Sequence, residues 1–184
     1  MAAVDVLFTG YADDRVAGTV SCVRSGGIVA IVDPGMVPDR SAILDPLAAL
    51  GLGPGDVTDV ILSHHHPDHT MNVALFDDVR VHDVWAVYHR DEWLDRPADG
   101  FEVAPGVRLM ETPGHTAADI TTLVDTEGGL VALTHLWWDE GSTTDPLAVD
   151  LVALHANRAR VLEIATLVVP GHGRAFEVSA TTPR

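Results

Sequence analysis

Four histidines and an aspartate lie within the seven residues of segment 63–69, directly after a short apolar run. In an extended loop alternate side chains point the same way, so His64 and His66 can reach one point while Asp68 and His69 reach a second point nearby. Metal binding explains such crowding better than a polar turn that happens to be rich in histidine. The segment therefore predicts ligands for two metal ions, carried by a loop at the carboxyl end of a buried strand.

Two further histidines occur in glycine-containing turns. His115 lies in the sequence Thr-Pro-Gly-His-Thr, and His172 lies in Pro-Gly-His-Gly. Each turn follows a predicted strand, at 107–111 and at 167–169 respectively. Candidate ligands thus recur where strands end, as expected if several loops meet at one site.

Composition restricts what kind of metal site this is. Cys22 is the only cysteine, so the chain cannot form an internal disulfide or a zinc site built from four thiolates. Any metal must therefore be held by imidazole and carboxylate groups.

The charge of the chain excludes several functional classes. All 11 basic residues are arginine and the formal net charge is -16. Without lysine there is no Schiff-base chemistry and no phosphate-binding P-loop. A strongly negative surface also makes nucleic acid an unlikely partner, since affinity for a phosphate backbone comes largely from basic side chains.

The length of 184 residues predicts a single domain, 1–184, with 47% hydrophobic residues to form its core. No apolar window is long enough to cross a membrane, and the N-terminus lacks the basic region of a secretory signal. We therefore expect a cytoplasmic location and no membrane partner.

Hydrophobic periodicity predicts mostly short strands, a helix over 40–50, a short helix over 70–75 and a long apolar stripe at helical spacing from Leu147 to Ala165. The predicted strands are 4–9, 18–24, 27–32, 57–62, 79–82, 107–111, 120–124, 130–134 and 167–169.

These motifs resemble those of the metallo-β-lactamase fold superfamily, and the resemblance extends over nearly the whole chain. Within that superfamily the segment 20–27, the pair Asp145-Pro146 and the run 160–176 are similar to the metallo-β-lactamase-domain-containing protein 1 group. The resemblance implies an αββα sandwich of the α/β class, with two mixed sheets face to face and helices outside. It also implies a first metal site of His64, His66 and His115, and a second of Asp68, His69 and His172.

One position departs from the pattern of the family. Most dinuclear members have a bridging aspartate after the strand that corresponds to 130–134, whereas this chain has His135. The two nitrogens of an imidazole diverge, so His135 can bind one ion end-on but cannot bridge as a carboxylate does. We expect His135 to be a ligand; otherwise it turns away and the second metal binds weakly.

A site rich in histidine suits zinc, iron or nickel better than magnesium or calcium. We expect two Zn²⁺ ions per chain, with iron as an alternative. Three imidazoles leave zinc an open position for water, which is typical of catalytic sites. The loss of one negative charge at position 135 favours anionic substrates.

The leading hypothesis is a metallo-hydrolase that uses a metal-bound hydroxide to cleave an ester, thioester, lactone or phosphoester of a small substrate, with Asp68 as ligand and proton acceptor. Two alternatives stay open. One is a mononuclear iron dioxygenase of the sulfur dioxygenase type, and the other is a non-catalytic metal-binding protein. The resemblance also suggests a homodimer.

Other residues near the motifs receive subsidiary roles. His65 should point away from the metals because it alternates with the ligands. Asp33 can orient a ligand histidine through its free ring nitrogen or simply form a turn. Of the adjacent Trp137 and Trp138, at most one should line a substrate pocket.

Overall fold

The computed structural model describes residues 1–184 and contains two large mixed sheets. The first sheet has seven strands in the order β1-β4-β5-β6-β7-β8-β9. A separate two-stranded hairpin, β2-β3, lies between β1 and β4 in the sequence. Strands β5, β6 and β7 run parallel to one another, and the other neighbouring pairs of this sheet are antiparallel. The bounds are β1 (Ala3–Phe8), β2 (Tyr11–Ala12), β3 (Val16–Ala17), β4 (Val20–Ser25), β5 (Ile28–Val32), β6 (Asp59–Ile61), β7 (Arg80–His82), β8 (Ala86–His89) and β9 (Glu92–Asp95).

The second sheet has six strands in sequence order, β10 to β15. All neighbours are antiparallel except β13 and β14, which run parallel. The bounds are β10 (Glu102–Ala104), β11 (Val107–Glu111), β12 (Ile120–Thr126), β13 (Gly129–Thr134), β14 (Leu167–Pro170) and β15 (Phe176–Glu177).

Three helices complete the fold. They are α1 (Ser41–Ala49), α2 (Pro67–Thr70) and α3 (Leu151–Leu162), with short 3-10 turns at Pro54–Asp56 and Val73–Leu75. Helix α1 connects the parallel strands β5 and β6, and α3 connects the parallel strands β13 and β14, as parallel pairing requires. No helix combines the length and the apolar character needed to cross a membrane.

Alternation along the strands divides the core into three layers. In β5, Ala30 and Val32 pack between the two sheets, whereas Ile31 packs outward against α1. In β13, Leu133 packs between the sheets and Ala132 packs outward against α3. The predicted αββα sandwich is confirmed, because each sheet buries one face on the other sheet and the opposite face beneath a helix.

Two helix predictions differ from the structure. The helix expected over 70–75 is instead α2, which starts at Pro67, followed by a 3-10 turn. Proline favours the first position of a helix, where its missing N–H leaves no bond unmade. Helix α3 begins only after Asp150, whose side chain accepts a hydrogen bond from the Ala153 N–H, so Leu147 lies outside the helix.

Periodicity also failed to detect six short strands, β2, β3, β8, β9, β10 and β15. Each is two to four residues long, and β9 is exposed at every position, so none of them shows an alternating pattern long enough to be recognised.

Candidate metal centre

Loops that follow four strands carry the seven predicted site residues to one place. The segment 64–69 follows β6, His115 follows β11, His135 follows β13 and His172 follows β14. Three of these strands belong to the second sheet and one to the first, so the site lies where the two sheets meet at the ends of their strands. Residues separated by more than a hundred positions in sequence are thereby brought into contact.

The first predicted set lies together. One ring nitrogen from each of His64, His66 and His115 falls within 4.8 Å of the others. His66 Nδ1 lies 3.0 Å from His115 Nε2. His64 and His115 are buried, whereas His66 is exposed on the open side of the group.

The second predicted set also lies together. Ligand atoms of Asp68, His69 and His172 fall within 4.8 Å of one another. Asp68 Oδ2 lies 3.3 Å from His69 Nε2 and 3.6 Å from His172 Nε2. This set contains the one carboxylate among the seven residues.

His135 lies between the two sets and contacts both. Its Nε2 is 3.0 Å from His172 Nε2, and its ring centroid is 4.1 Å from that of His115 at an interplanar angle of 33°. A ring nitrogen of His135 also lies within 4.8 Å of a ring nitrogen of His64 and of one of His69. The side chain therefore faces inward and does not turn away.

Protein acceptors hold the remaining ring nitrogen of four of these histidines. Such contacts fix the ring orientation and the position of the proton, leaving the other nitrogen with a lone pair for a metal. The pairs are His64 Nδ1 with Ser63 Oγ at 3.0 Å, His69 Nδ1 with Asp33 Oδ2 at 2.9 Å, His115 Nδ1 with Asp145 Oδ2 at 2.7 Å, and His172 Nδ1 with the Ala17 carbonyl oxygen at 3.1 Å.

Asp33 orients a candidate ligand, which is one of the two roles that the sequence suggested, since its carboxylate contacts His69 Nδ1. The role of Asp145 was missed. Its side chain is buried and accepts from His115 Nδ1 and from the Leu147 backbone N–H. The only signal in the sequence is the pair Asp145-Pro146, which resembles a turn and gives no indication of its distant partner.

Protonation favours metal binding at most of these rings. Burial lowers the pKa of His64, His66, His172 and His135, and the neighbouring imidazoles lower the pKa of each ring further. His69 differs: burial opposes its charge, but the carboxylates of Asp33 and Asp68 outweigh burial and raise its pKa to about 9. In the absence of a metal a proton supplies the positive charge that these two carboxylates attract.

Three buried nitrogen atoms indicate that the residues present fit a metal. All three are inaccessible to solvent; His64 Nε2 and His135 Nδ1 have no hydrogen-bond partner, and His69 Nε2 has only the contact with Asp68 Oδ2 at 3.3 Å. Unsatisfied buried polar atoms are rare in folded proteins because each costs free energy. Coordination of a cation would satisfy them, and imidazole with carboxylate is a donor set suited to zinc or iron.

Glycine is required at two positions beside the site. A Cβ at Gly171 would lie 2.5 Å from His135 Cδ2, and a Cβ at Gly35 would overlap the backbone carbonyl of Asp68. Any larger residue would therefore displace His135 or the loop that carries Asp68. The close approach explains why the turn before His172 contains glycine.

A cavity of about 310 Å³ opens onto the candidate metal ligands. Outside the candidate ligands, its walls are formed by the β2-β3 hairpin, by Trp138 and by Leu147; the hairpin contributes Ala12, Asp13 and Val16. Trp137 is fully buried in the core, so the two tryptophans divide as the sequence predicted. Leu147 is 63% exposed and was expected to lie on a helix, so its place in the wall was not foreseen.

The other histidines lie outside the centre. His65 turns away and contacts the buried carboxylate of Asp83 at 3.0 Å, as alternation predicted. His82 contacts Asp59, His89 contacts Asp78, and His155 contacts the carbonyl oxygen of Arg184.

Comparison with known protein families identifies a match over most of the chain. Residues 13–173 match the model of the metallo-β-lactamase superfamily. The metallo-β-lactamase domain-containing protein 1 of Xenopus laevis is 31% identical over 190 residues, which cover 95% of this chain and 81% of that protein.

Two further proteins show more limited similarity. An N-acyl homoserine lactonase of Bacillus cereus is 32% identical over 111 residues, covering 52% of this chain and 44% of that protein. The solved structure of TTHA1623 in a di-iron-bound form superposes with a TM-score of 0.69 at 20% identity, covering 96% of this chain and 98% of that one. The latter similarity concerns the fold alone.

Proposed function

We propose that this chain, which belongs to the metallo-β-lactamase superfamily, is a metallo-hydrolase that cleaves an ester-like bond of a small substrate. The observation that carries the proposal is the convergence of two three-residue ligand sets beneath an open cavity. A structural metal site would be closed, whereas a catalytic site keeps a position open to water or substrate. We further propose that residues 1–184 act as one domain, because the loop after β6 of the first sheet supplies four of the seven site residues and loops of the second sheet supply the other three.

The proposed metal content is two Zn²⁺ ions per chain, one at each ligand set. His64, His66 and His115 would hold the first ion, and Asp68, His69 and His172 the second, with His135 as an additional donor. Zinc held by these residues would supply a coordinated water with a pKa near 7 and a Lewis acid for a substrate carbonyl. Iron is the alternative, since the same fold is known in a di-iron-bound form.

Asp68 has a second proposed role as a proton acceptor. Burial alone would raise the pKa of its carboxyl, but hydrogen bonding and charge interaction with His69 outweigh burial and lower the pKa to about 2. The group is therefore ionised at neutral pH. It also lines the open cavity, so it can receive a proton from a water molecule that attacks the substrate.

The walls of the cavity support a small, partly apolar substrate. Val16 and Leu147 present exposed aliphatic surface on opposite segments of the chain, and Trp138 adds an aromatic face. No arginine lines the cavity, so binding of an anionic group would depend on the metal centre alone. These walls support a lactone, an ester or a thioester as the proposed substrate, as does the presence of an N-acyl homoserine lactonase among the relatives.

Metal analysis combined with an activity panel tests the proposal. Protein purified without added metal is analysed for zinc and iron, and is then assayed against acyl lactones, simple esters, thioesters and a phosphodiester. We expect two zinc ions per chain and hydrolysis that a chelator abolishes and zinc restores. One iron per chain with oxygen consumption on a persulfide would establish the dioxygenase alternative, and no turnover with any loaded metal would favour a non-catalytic metal-binding protein.

A further inference from the structure

A chain of three hydrogen bonds joins the two ligand sets behind the metal centre. Asp33 Oδ2 lies 2.9 Å from His69 Nδ1 and 2.6 Å from Ser63 Oγ. Ser63 Oγ in turn lies 3.0 Å from His64 Nδ1. All four side chains are buried, so solvent cannot replace any member of the chain.

The chemistry of the donors and acceptors fixes the direction of each bond. An ionised carboxylate only accepts, so the Ser63 hydroxyl and the His69 Nδ1–H both donate to Asp33. The hydroxyl then has only lone pairs to offer His64, whose Nδ1–H must donate to it. Each histidine, when its ring is neutral, therefore carries its proton on Nδ1 and directs an Nε2 lone pair into the site.

A single carboxylate thus sets the tautomer of a ligand in each metal set. His64 belongs to the first set and His69 to the second. The effect of Asp33 on the second set is direct, whereas its effect on the first set passes through the hydroxyl of Ser63. The backbone N–H of Ser63 also donates to Asp33 Oδ1 at 2.7 Å, which holds the carboxylate in place independently of that hydroxyl.

We propose that Ser63 is a positioning residue for the first metal site alone, and that Asp33, acting partly through Ser63, supports metal binding at both sites. The inference rests on the proposed metal centre. It adds the expectation that loss of the Ser63 hydroxyl lowers metal affinity at the first site and not at the second. Loss of the Ser63 hydroxyl leaves His64 Nδ1–H without an acceptor but keeps the contact between Asp33 and His69. Loss of the charge on Asp33 weakens both contacts.

Binding of Co²⁺ alone, measured by competition with a chelator and by the cobalt absorption spectrum, separates the two sites. The His172→Ala background removes a ligand of the second site, so Co²⁺ binding to it reports mainly on the first site. The His66→Ala background removes a ligand of the first site and reports mainly on the second. In the first background we expect Ser63→Ala to weaken Co²⁺ binding roughly 10- to 100-fold, the range typical of groups that orient metal ligands. In the second background we expect a change of less than about threefold.

Two serine variants serve as controls. Ser63→Thr keeps the hydroxyl and should restore first-site affinity to within about threefold of the unsubstituted protein. Ser21→Ala removes another buried hydroxyl, one that has no hydrogen-bond partner, and should leave Co²⁺ binding unchanged. Circular dichroism of each metal-free variant verifies that the fold is retained.

Asp33→Asn tests the other half of the proposal. Asp33 adopts a positive φ of 53°, a conformation that asparagine tolerates, so this substitution removes the charge without straining the backbone. We expect it to weaken Co²⁺ binding by about tenfold or more in both backgrounds.

Equal losses at both sites from Ser63→Ala, or no loss at the first site, would overturn the proposal. A loss confined to one site from Asp33→Asn would also overturn it. Failure of the metal centre itself is recognisable separately, because His66→Ala and His172→Ala would then bind as much Co²⁺ as the unsubstituted protein.

Discussion

His135 Nε2 and His172 Nε2 lie 3.0 Å apart, both directed into the same space. His172 Nδ1 donates to the Ala17 carbonyl oxygen, so the Nε2 of His172 carries a lone pair. The other nitrogen of His135, Nδ1, is buried without a partner. An aspartate at position 135 would present two oxygens that share one negative charge. This histidine instead presents two nitrogens that point in divergent directions, and its neutral ring carries no charge.

Replacing His135 with the carboxylate common in the family should strengthen the second site. We expect His135→Asp to bind the second metal at least as firmly, because an anionic oxygen replaces a neutral nitrogen, and to alter substrate preference. Metal stoichiometry and relative rates on esters and lactones measure these changes. His155→Asp adds the same charge on α3, away from the centre, as a control. Unchanged stoichiometry together with unchanged rates would show that His135 is not a ligand.

The first site should depend on His66. We expect His66→Ala to lose first-site metal and hydrolytic activity together, since only two of the three protein ligands typical of a catalytic zinc remain. Metal analysis and rates on the best substrate provide the measurements. His65→Ala is a matched control, because this adjacent ring faces Asp83. Full activity in the His66 variant would contradict the proposed centre.

Asp145 should position His115. The carboxylate accepts from His115 Nδ1 at 2.7 Å, and its pKa is lowered because hydrogen bonds and the charge of His115 outweigh the opposing effect of burial. We expect Asp145→Asn to lower first-site metal affinity roughly 10- to 100-fold. Chelator competition measures the change, and Asp125→Asn, at an exposed carboxylate, should have no effect. Wild-type affinity in the Asp145 variant would assign this residue a purely structural role.

Leu147 should contribute to substrate binding and little to stability. It lines the cavity while remaining 63% exposed, so truncation removes apolar contact with substrate but creates no core cavity. For an ester with a long acyl chain, we expect Leu147→Ala to raise KM about fivefold, equivalent to about 1 kcal/mol, with metal content unchanged. An acetate ester should be unaffected. Leu151→Ala, outside the cavity, is the control, and equal effects on both esters would argue against an apolar subsite.

Asp59 should stabilise the metal-free protein in a pH-dependent manner. Burial raises the pKa of its carboxyl, but hydrogen bonds from His82, Arg80 and Thr58 outweigh burial and lower the pKa from 3.8 to about 2. Because the folded-state pKa is depressed, this stabilisation is present above the unfolded pKa and is lost as the pH falls from about 4 to about 2. We expect Asp59→Asn to lower the free energy of unfolding by about 2 kcal/mol at pH 7.

Urea unfolding of both metal-free proteins, in the presence of chelator, measures that difference across the pH range. The gap between the two proteins should narrow below pH 4. A difference that stays constant down to pH 2 would mean that the ion pair does not account for it.

Local sequence predicted the strands that carry the site and the types of ligand that follow them. The segment 63–69 could be read because its ligands are neighbours in the chain, where alternation of side chains applies directly. The same logic separated His65 from His64 and His66, and separated Trp138 from the buried Trp137. The αββα architecture was predicted by resemblance and is confirmed by the core layers on both sides of β5 and β13.

Contacts between distant segments could not be predicted in this way. Asp145 reaches His115 across thirty positions, and Leu147 lines the cavity from the segment that precedes the Asp150 cap of α3. No periodicity and no motif in the sequence indicates either relationship. Both depend on where loops from different strands cross after the sheets have packed.

The sequence by itself determined that imidazole and carboxylate groups, without thiolates or lysine, are concentrated at strand ends. The tertiary structure decided how those groups are arranged: His135 points inward between the two sets, Asp33 reaches both His69 and Ser63, and the β2-β3 hairpin closes one wall of the cavity. The physical reason is that donor type is a property of each residue, whereas the direction of a lone pair depends on which distant group holds the opposite nitrogen.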